Sequence, residues 1–111
     1  MRGLEKTHNI NDMRNVTREI CEAIEARRQL IFEYEGLTRI VQPYCHGWNE
    51  SGEVVRALQV GGASRSGGFG FGKLWMVAKM ARLRVSEAGF EPSDPNYNPE
   101  DSAMTEIHCR I

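Results

Sequence analysis

Cysteine is scarce in this sequence: three in 111 residues, at Cys21, Cys45 and Cys109. They are too few and too scattered for a disulfide framework, and they read as reduced thiols in a cytoplasmic protein. No apolar run reaches the length that crosses a bilayer. The opening residues Met1 to Lys6 lack the apolar core of a signal peptide, so no membrane association is expected. Histidine is equally sparse, and His8, His46 and His108 are scattered. Ser64 and Ser66 flank Arg65, but no His–Asp arrangement stands beside them, so no nucleophile is singled out and no enzyme is expected.

Two motifs come close to a known chemistry and stop short. Gly67-x-x-x-x-Gly72-Lys73 nearly matches a phosphate-binding P-loop, but Leu74 stands where a hydroxyl would hold magnesium. Cys45-His46 and His108-Cys109 would make a zinc set. Neighbours along a strand point to opposite faces, however, so each dipeptide offers one ligand unless it sits in a knuckle turn. The expectation is therefore no metal and no cofactor, with Cys45 and Cys109 as small core residues.

What is present fits one soluble domain with one core: 41% hydrophobic and 26% charged residues. The net charge of −1 hides an asymmetry. Residues 36–85 carry seven basic and two acidic side chains, whereas residues 86–111 carry six acidic and one basic. Either the basic middle binds an anion, or tail and middle neutralise each other.

Residues 1–11 show no periodicity and read as a flexible lead-in to a single domain over 12–111. Met13, Val16, Ile20, Ala23, Ile24 and Arg27 fall on one helical face, with Asn11 or Asn15 as cap. The period then changes. Leu30, Phe32 and Tyr34 alternate with Ile31, Glu33 and Glu35 as a strand. Glu35-Gly36 makes a tight turn into a second strand from about Thr38 to Tyr44, in which Pro43 demands an end, a bulge or an edge. His46 to Gly52 reads as a loop. Glu53 to Gly62 is the most β-prone run, with apolar residues on both faces, and predicts a central strand. Six glycines between Gly61 and Lys73 mark a loop carrying Phe69 and Phe71. Leu74 to Val85 suits helix or strand by periodicity; two strands broken near Lys79-Met80 are expected. Residues 89–101 are turn-rich, and Ile107, Cys109 and Ile111 alternate as an acidic extension's closing strand.

Arg56 lies inside the central run among apolar neighbours. A buried charge without a partner is very costly, so Arg56 meets either a carboxylate of the protein or an external anion. Arg39, Arg65 and Lys79 join it as a basic set, with Tyr34, Gln59 and Trp75 nearby in the pattern. Arginine forks and amides bind phosphate, aromatic faces stack on bases, and a glycine loop offers N–H groups. The alternative is that Arg39 and Arg56 pair with Glu33, Glu53 or the acidic tail.

The order of motifs resembles the WYL domain family over roughly residues 20–90. It runs from a helix with Ala23-Ile24 through Leu30-x-Phe32-x-Tyr34, Arg39-x-Val41-x-Pro43 and Val54-Val55-Arg56-Ala57-Leu58-Gln59 to Trp75-Met76-Val77-Ala78-Lys79-Met80 and Phe90. The naming Trp-Tyr-Leu run falls on Glu53-Val54-Val55, Lys79 replaces an arginine, and no room is left for a helix-turn-helix domain. The resemblance implies a mainly β fold with an N-terminal helix, a small Sm-like or SH3-like barrel of about five strands. It also implies a non-enzymatic ligand-sensing or regulatory module, bacterial and linked to transcription, that binds nucleic acid or a nucleotide-like ligand through Tyr34, Arg39, Arg56 and Lys79. Gln59, Arg65 and Trp75 extend that site from the local pattern. The second expectation is a protein–protein interaction or assembly module, acting on a regulatory partner or as a homo-oligomer, in which the basic residues are paired internally.

Overall fold

The computed structural model describes residues 16–63, 72–92 and 94–111. The lead-in, the capping asparagines and the loop bearing Arg65, Phe69 and Phe71 lie outside them. A helix, α1, covers residues 16–26. Six strands follow: β1 (Arg28–Tyr34), β2 (Leu37–Asn49), β3 (Gly52–Gly62), β4 (Lys73–Met76), β5 (Met80–Gly89) and β6 (Glu106–Arg110). They form one antiparallel sheet in the order β4-β3-β2-β1-β5, with β6 added to β2. A 3-10 turn, Val77–Lys79, joins β4 to β5 and breaks the ambiguous run into two strands. The result is a small, mainly β domain with one N-terminal helix, of a general SH3-like or Sm-like kind. Among the described residues β4 and β5 end the path without pairing with each other, so closure into a barrel is not found.

Of the helical face named by the spacing, Val16 is partly buried, Arg27 is exposed beyond the helix end and Met13 lies outside the described residues. Ile20, Ala23 and Ile24 are fully enclosed and meet Leu30, Phe32, Val41, Val55, Ala57, Trp75 and Val77 in the main core. Burying each large side chain there contributes roughly 1.5–3 kcal/mol. The helix stops at Arg27, whose φ of 56° turns the chain and lets its carbonyl accept the Phe90 amide at 2.9 Å. Glu35 and Gly36, both at positive φ, form the tight turn between β1 and β2. Two successive left-handed residues match the twist of a two-residue hairpin.

β2 corrects one expectation. His46, Gly47, Trp48 and Asn49 are strand, not loop, because each pairs with β3, and His46 to Trp48 pair with β6 as well. Glycine and polar side chains suggested a loop, but His46 to Trp48 lie between two paired strands and Asn49 pairs with β3. Pro43 does coincide with a bulge: Pro43 faces Ala57 and Cys45 faces Arg56, which leaves Tyr44 as the extra residue. Across that bulge β2 changes its outer neighbour from β1, last paired at Val41, to β6, first paired at Cys45. The extra residue also breaks alternation, so Pro43 through Gly47 are all buried. Tyr44 turns its ring to Phe90 and Tyr97, at centroid distances of 5.8 and 5.0 Å, and anchors the acidic extension.

A second bulge sits opposite. His46 faces Cys109 and Gly47 faces Ile107, so His108 is the unpaired residue of β6. Gly47 permits this approach: a Cβ there would stand 2.1 Å from the Glu106 carbonyl oxygen and 2.9 Å from the Met104 sulfur. Gly47→Ala is expected to push β6 off β2 and to cost on the order of 1–3 kcal/mol. Thermal unfolding checks it; an unchanged midpoint would refute the close-approach argument.

Candidate functional site

Of the seven residues expected to bind a ligand, four converge. The Arg39 guanidinium lies 5.8 Å from the Tyr34 ring centroid and 5.5 Å from that of Trp75. Its Nη1 reaches Gln59 Oε1 at 3.5 Å. β1, β2, β3 and β4 each supply one of the four. They assemble as an interior packing, however, because Arg39 is 3% and Gln59 2% exposed. Arg39 Nε and Nη2 donate to the Tyr34 carbonyl at 3.3 and 3.1 Å, and Glu35 adds a carboxylate at 3.5 Å. Gln59 donates to the carbonyls of Gly61 and Ala63, both at 2.8 Å. Trp75 donates to the Ala57 carbonyl, and the Tyr34 hydroxyl accepts the Met76 amide. Phe32, Tyr34 and Trp75 meet edge to face, each contact contributing about 0.5–1.5 kcal/mol beyond area burial.

Arg56 stands apart from that set, on the other face of β3. It finds a protein carboxylate: Nε donates to Asp101 Oδ2 at 2.7 Å and Nη2 to Oδ1 at 3.0 Å. Nη1 donates to the Gly72 carbonyl at 3.3 Å. The acidic tail thus neutralises the basic middle at a partly enclosed arginine, 45 residues away in sequence. The Arg56 fork holds the Asp101 carboxyl below its ordinary value, with the Ala103 amide assisting, while burial works in the opposite direction. Asp101 in turn raises the Arg56 pKa. Lys79 lies exposed on the 3-10 turn, with no part in either arginine's hydrogen bonds. Arg65 is outside the described residues.

A third constellation was only half legible. Cys21, His46, His108 and Cys109 place one ligand atom each within 4.8 Å of one another. α1 supplies Cys21, β2 supplies His46, and the β6 bulge supplies both His108 and Cys109. The bulge is the knuckle that a regular strand lacks, since an extra residue re-aims its side chain. Cys45 follows the regular rule and points the other way, into a second small core with Val54 and Met104. Burial pushes its thiol up to about 11, which leaves it protonated and unreactive. Cys21 and Cys109 are joined by a disulfide, which corrects the expectation of three reduced thiols. Cys21 is carried on the edge of the helix that faces β2 and β6, and no sequence spacing relates it to a residue 88 positions later.

Within the cluster, His108 Nδ1 lies 3.2 Å from His46 Nδ1 and 3.3 Å from Cys21 Sγ. Cys21 Sγ is 3.9 Å from His46 Nδ1. His46 is fully buried, and its far nitrogen, Nε2, meets Glu53 Oε2 at 2.6 Å. Thr17 Oγ1 donates to the same oxygen at 2.7 Å. Burial raises the Glu53 carboxyl, but the His46 and Thr17 hydrogen bonds outweigh it and the net direction is downward. Trp48 covers both imidazoles, 5.0 Å from His46 and 5.3 Å from His108.

Compared with known proteins, the chain matches no family model, no curated protein and no solved structure.

The Arg56–Asp101 pair carries a pH signature. Asp101 is depressed in the folded state, so its contribution is complete above its ordinary value of 3.8 and is lost as pH falls through the lower folded value. Asp101→Asn is expected to cost about 2–3 kcal/mol at neutral pH, because it strips a partly enclosed guanidinium of its partner. The deficit relative to wild type should shrink below pH 4. Urea unfolding at pH 7 and pH 3 tests this; equal deficits at both would rule the pair out as the source.

Proposed function

We propose that this chain is a non-enzymatic interaction module that engages a polypeptide partner, with its central arginines serving the fold. The observation that carries the reading is an apolar groove of about 290 Å³ lined by Val16, Val77, Ala78, Met80 and Leu83, with Glu53 and Arg82 as its charged members. Such a floor, with one acid and one base, suits an apolar side chain of a protein segment with polar flanks. The groove runs along β5, which among the described residues pairs on one side alone, with β1. An edge of this kind can also offer backbone hydrogen bonds to a partner strand. The internal engagement of Arg39 and Arg56 supports this reading over anion capture by those two residues.

A second reading keeps the nucleic-acid ligand but moves it. Lys79, Arg82 and Arg84 are exposed at the 3-10 turn and along β5, and the Arg82 side chain is 78% exposed with Glu33 at 3.7 Å. Charge on that surface would attract single-stranded nucleic acid or an oligonucleotide without any of the buried arginines. The resemblance to WYL domains favours this ligand class.

Ala78 is exposed on the rim of the groove and can be changed with little cost to the core. A photo-crosslinking residue at position 78, in the cells that make the chain, is expected to trap one polypeptide at a reproducible peptide. Ala78→Glu should abolish retention of that polypeptide while leaving the unfolding midpoint unchanged. Tight oligonucleotide binding by the purified chain, weakened by salt and by Lys79→Ala, would overturn the polypeptide reading in favour of the second.

A further inference from the structure

We infer that Cys21, His46, His108 and Cys109 form a Cys2His2 site for a zinc-class divalent ion when the two sulfurs are reduced, and that the Cys21–Cys109 disulfide is the metal-free alternative of the same site. Zinc in a structural site takes four sulfur and nitrogen ligands in a tetrahedron, at about 2.3 Å for thiolate and about 2.0–2.1 Å for imidazole. Those lengths set ligand–ligand edges of about 3.3 Å for two nitrogens and about 3.5 Å for nitrogen and sulfur. The two ring nitrogens here are 3.2 Å apart, and Cys21 Sγ stands 3.3 and 3.9 Å from them. Three of the four ligand atoms are already within about 0.4 Å of the edges of such a tetrahedron. Once the S–S bond is cut, the two sulfurs need only separate to about 3.8 Å to complete it.

Four further features point to a cation. Glu53 accepts from His46 Nε2, so Nδ1 presents its lone pair to the cluster. Carboxylate on the far nitrogen is the usual outer support of a metal-bound histidine. Thr17 fixes that carboxylate in turn. Trp48 packs on both rings and holds them in place. Finally, the ligands come from three elements, α1, β2 and β6, so one ion ties the helix and the C-terminal strand to the sheet. None of the four side chains belongs to the groove or to the arginine sets.

Exchange between the two states balances. A dithiol reductant breaks the Cys21–Cys109 bond, closes its own disulfide and passes two protons to the two cysteine sulfurs. Zinc then forms two bonds to sulfur and releases those protons to solvent. Oxidation by a peroxide reverses it. The S–S bond forms, both Zn–S bonds break and the ion leaves, while two electrons cleave the O–O bond and, with two solvent protons, give two waters.

The test uses the full chain, reduced with dithiothreitol, freed of excess reductant without air, and titrated with cobalt and with zinc. The reduced chain is expected to take one equivalent of cobalt. Intense tetrahedral bands and thiolate-to-cobalt charge transfer should appear, and zinc should displace the cobalt. The oxidised chain should take none, and peroxide should release zinc into a chromogenic chelator with loss of both thiols. His108→Ala, at an exposed residue, should weaken binding at least tenfold, and Glu53→Gln roughly ten- to a hundredfold with the band shape kept. Cys45→Ser should bind as wild type. Because the disulfide can still form in the His108 and Glu53 variants, their oxidised forms report whether each has folded. A reduced chain that binds no cobalt would overturn the site. So would weak octahedral cobalt alone, or affinity equal in the Cys21→Ser variant. Equal zinc uptake by oxidised and reduced chains would overturn the exchange while leaving a site.

Discussion

Proline 43 has no amide hydrogen, and much of this domain follows from that single missing donor. A thirteen-residue strand cannot hold one regular ladder across such a position, so β2 bulges at Tyr44 and changes its outer neighbour there. Before the bulge it belongs to β1 and the main core. After it, the strand belongs to β6 and the smaller core around Cys45, Val54 and Met104. The C-terminal segment therefore has somewhere to add, and its return brings Asp101 to Arg56 and His108 and Cys109 to His46. The arginine pair and the cysteine–histidine cluster are both consequences of where β2 is interrupted.

The same geometry explains how charge is handled. An arginine in a central strand is tolerable because the chain returns a carboxylate to it in bidentate geometry. Arg39 uses a different solution: the Tyr34 carbonyl, the Gln59 amide oxygen and two aromatic faces surround it, and the more exposed Glu35 carboxylate adds a longer contact at 3.5 Å. Both solutions leave the exposed cations of β5 as the basic surface. A basic composition in the middle of the sequence is thus divided between cations that hold the fold and cations that face outward.

His46 joins structure to chemistry most directly. It is fully enclosed, yet one nitrogen is bound to Glu53 and the other faces a second histidine and two sulfurs. Enclosing an imidazole is affordable when both nitrogens have partners. The cluster also links the first described element of the chain to the last strand, through a disulfide between residues 88 positions apart.

Much of the fold was readable from residue order. The helical face of Ile20, Ala23 and Ile24, the alternation of Leu30, Phe32 and Tyr34, the turn at Glu35-Gly36 and the central run at Val54 to Gln59 each carry a local period, and local period reflects which side chains face a core. Pro43 marked an irregularity, an end, a bulge or an edge, and the structure makes it a bulge. His46 to Asn49 did not read as strand, because their polar and glycine residues carry no strand period and one of the two strands they pair with, β6, lies about sixty residues later. Tyr34, Arg39, Gln59 and Trp75 were named with Arg56, Arg65 and Lys79 as one set; that these four pack together and that Arg39 and Gln59 are buried was not legible, since alternation names a face without saying what covers it. That Arg56 needs a counter-charge was decided by the sequence; that Asp101 supplies it was decided by the return of the tail. Likewise the dipeptides at positions 45–46 and 108–109 were visible as residue types. Only the register of β6 on β2, with its one-residue bulge under Gly47, and the position of α1 across the sheet set which four of those side chains share one point in space.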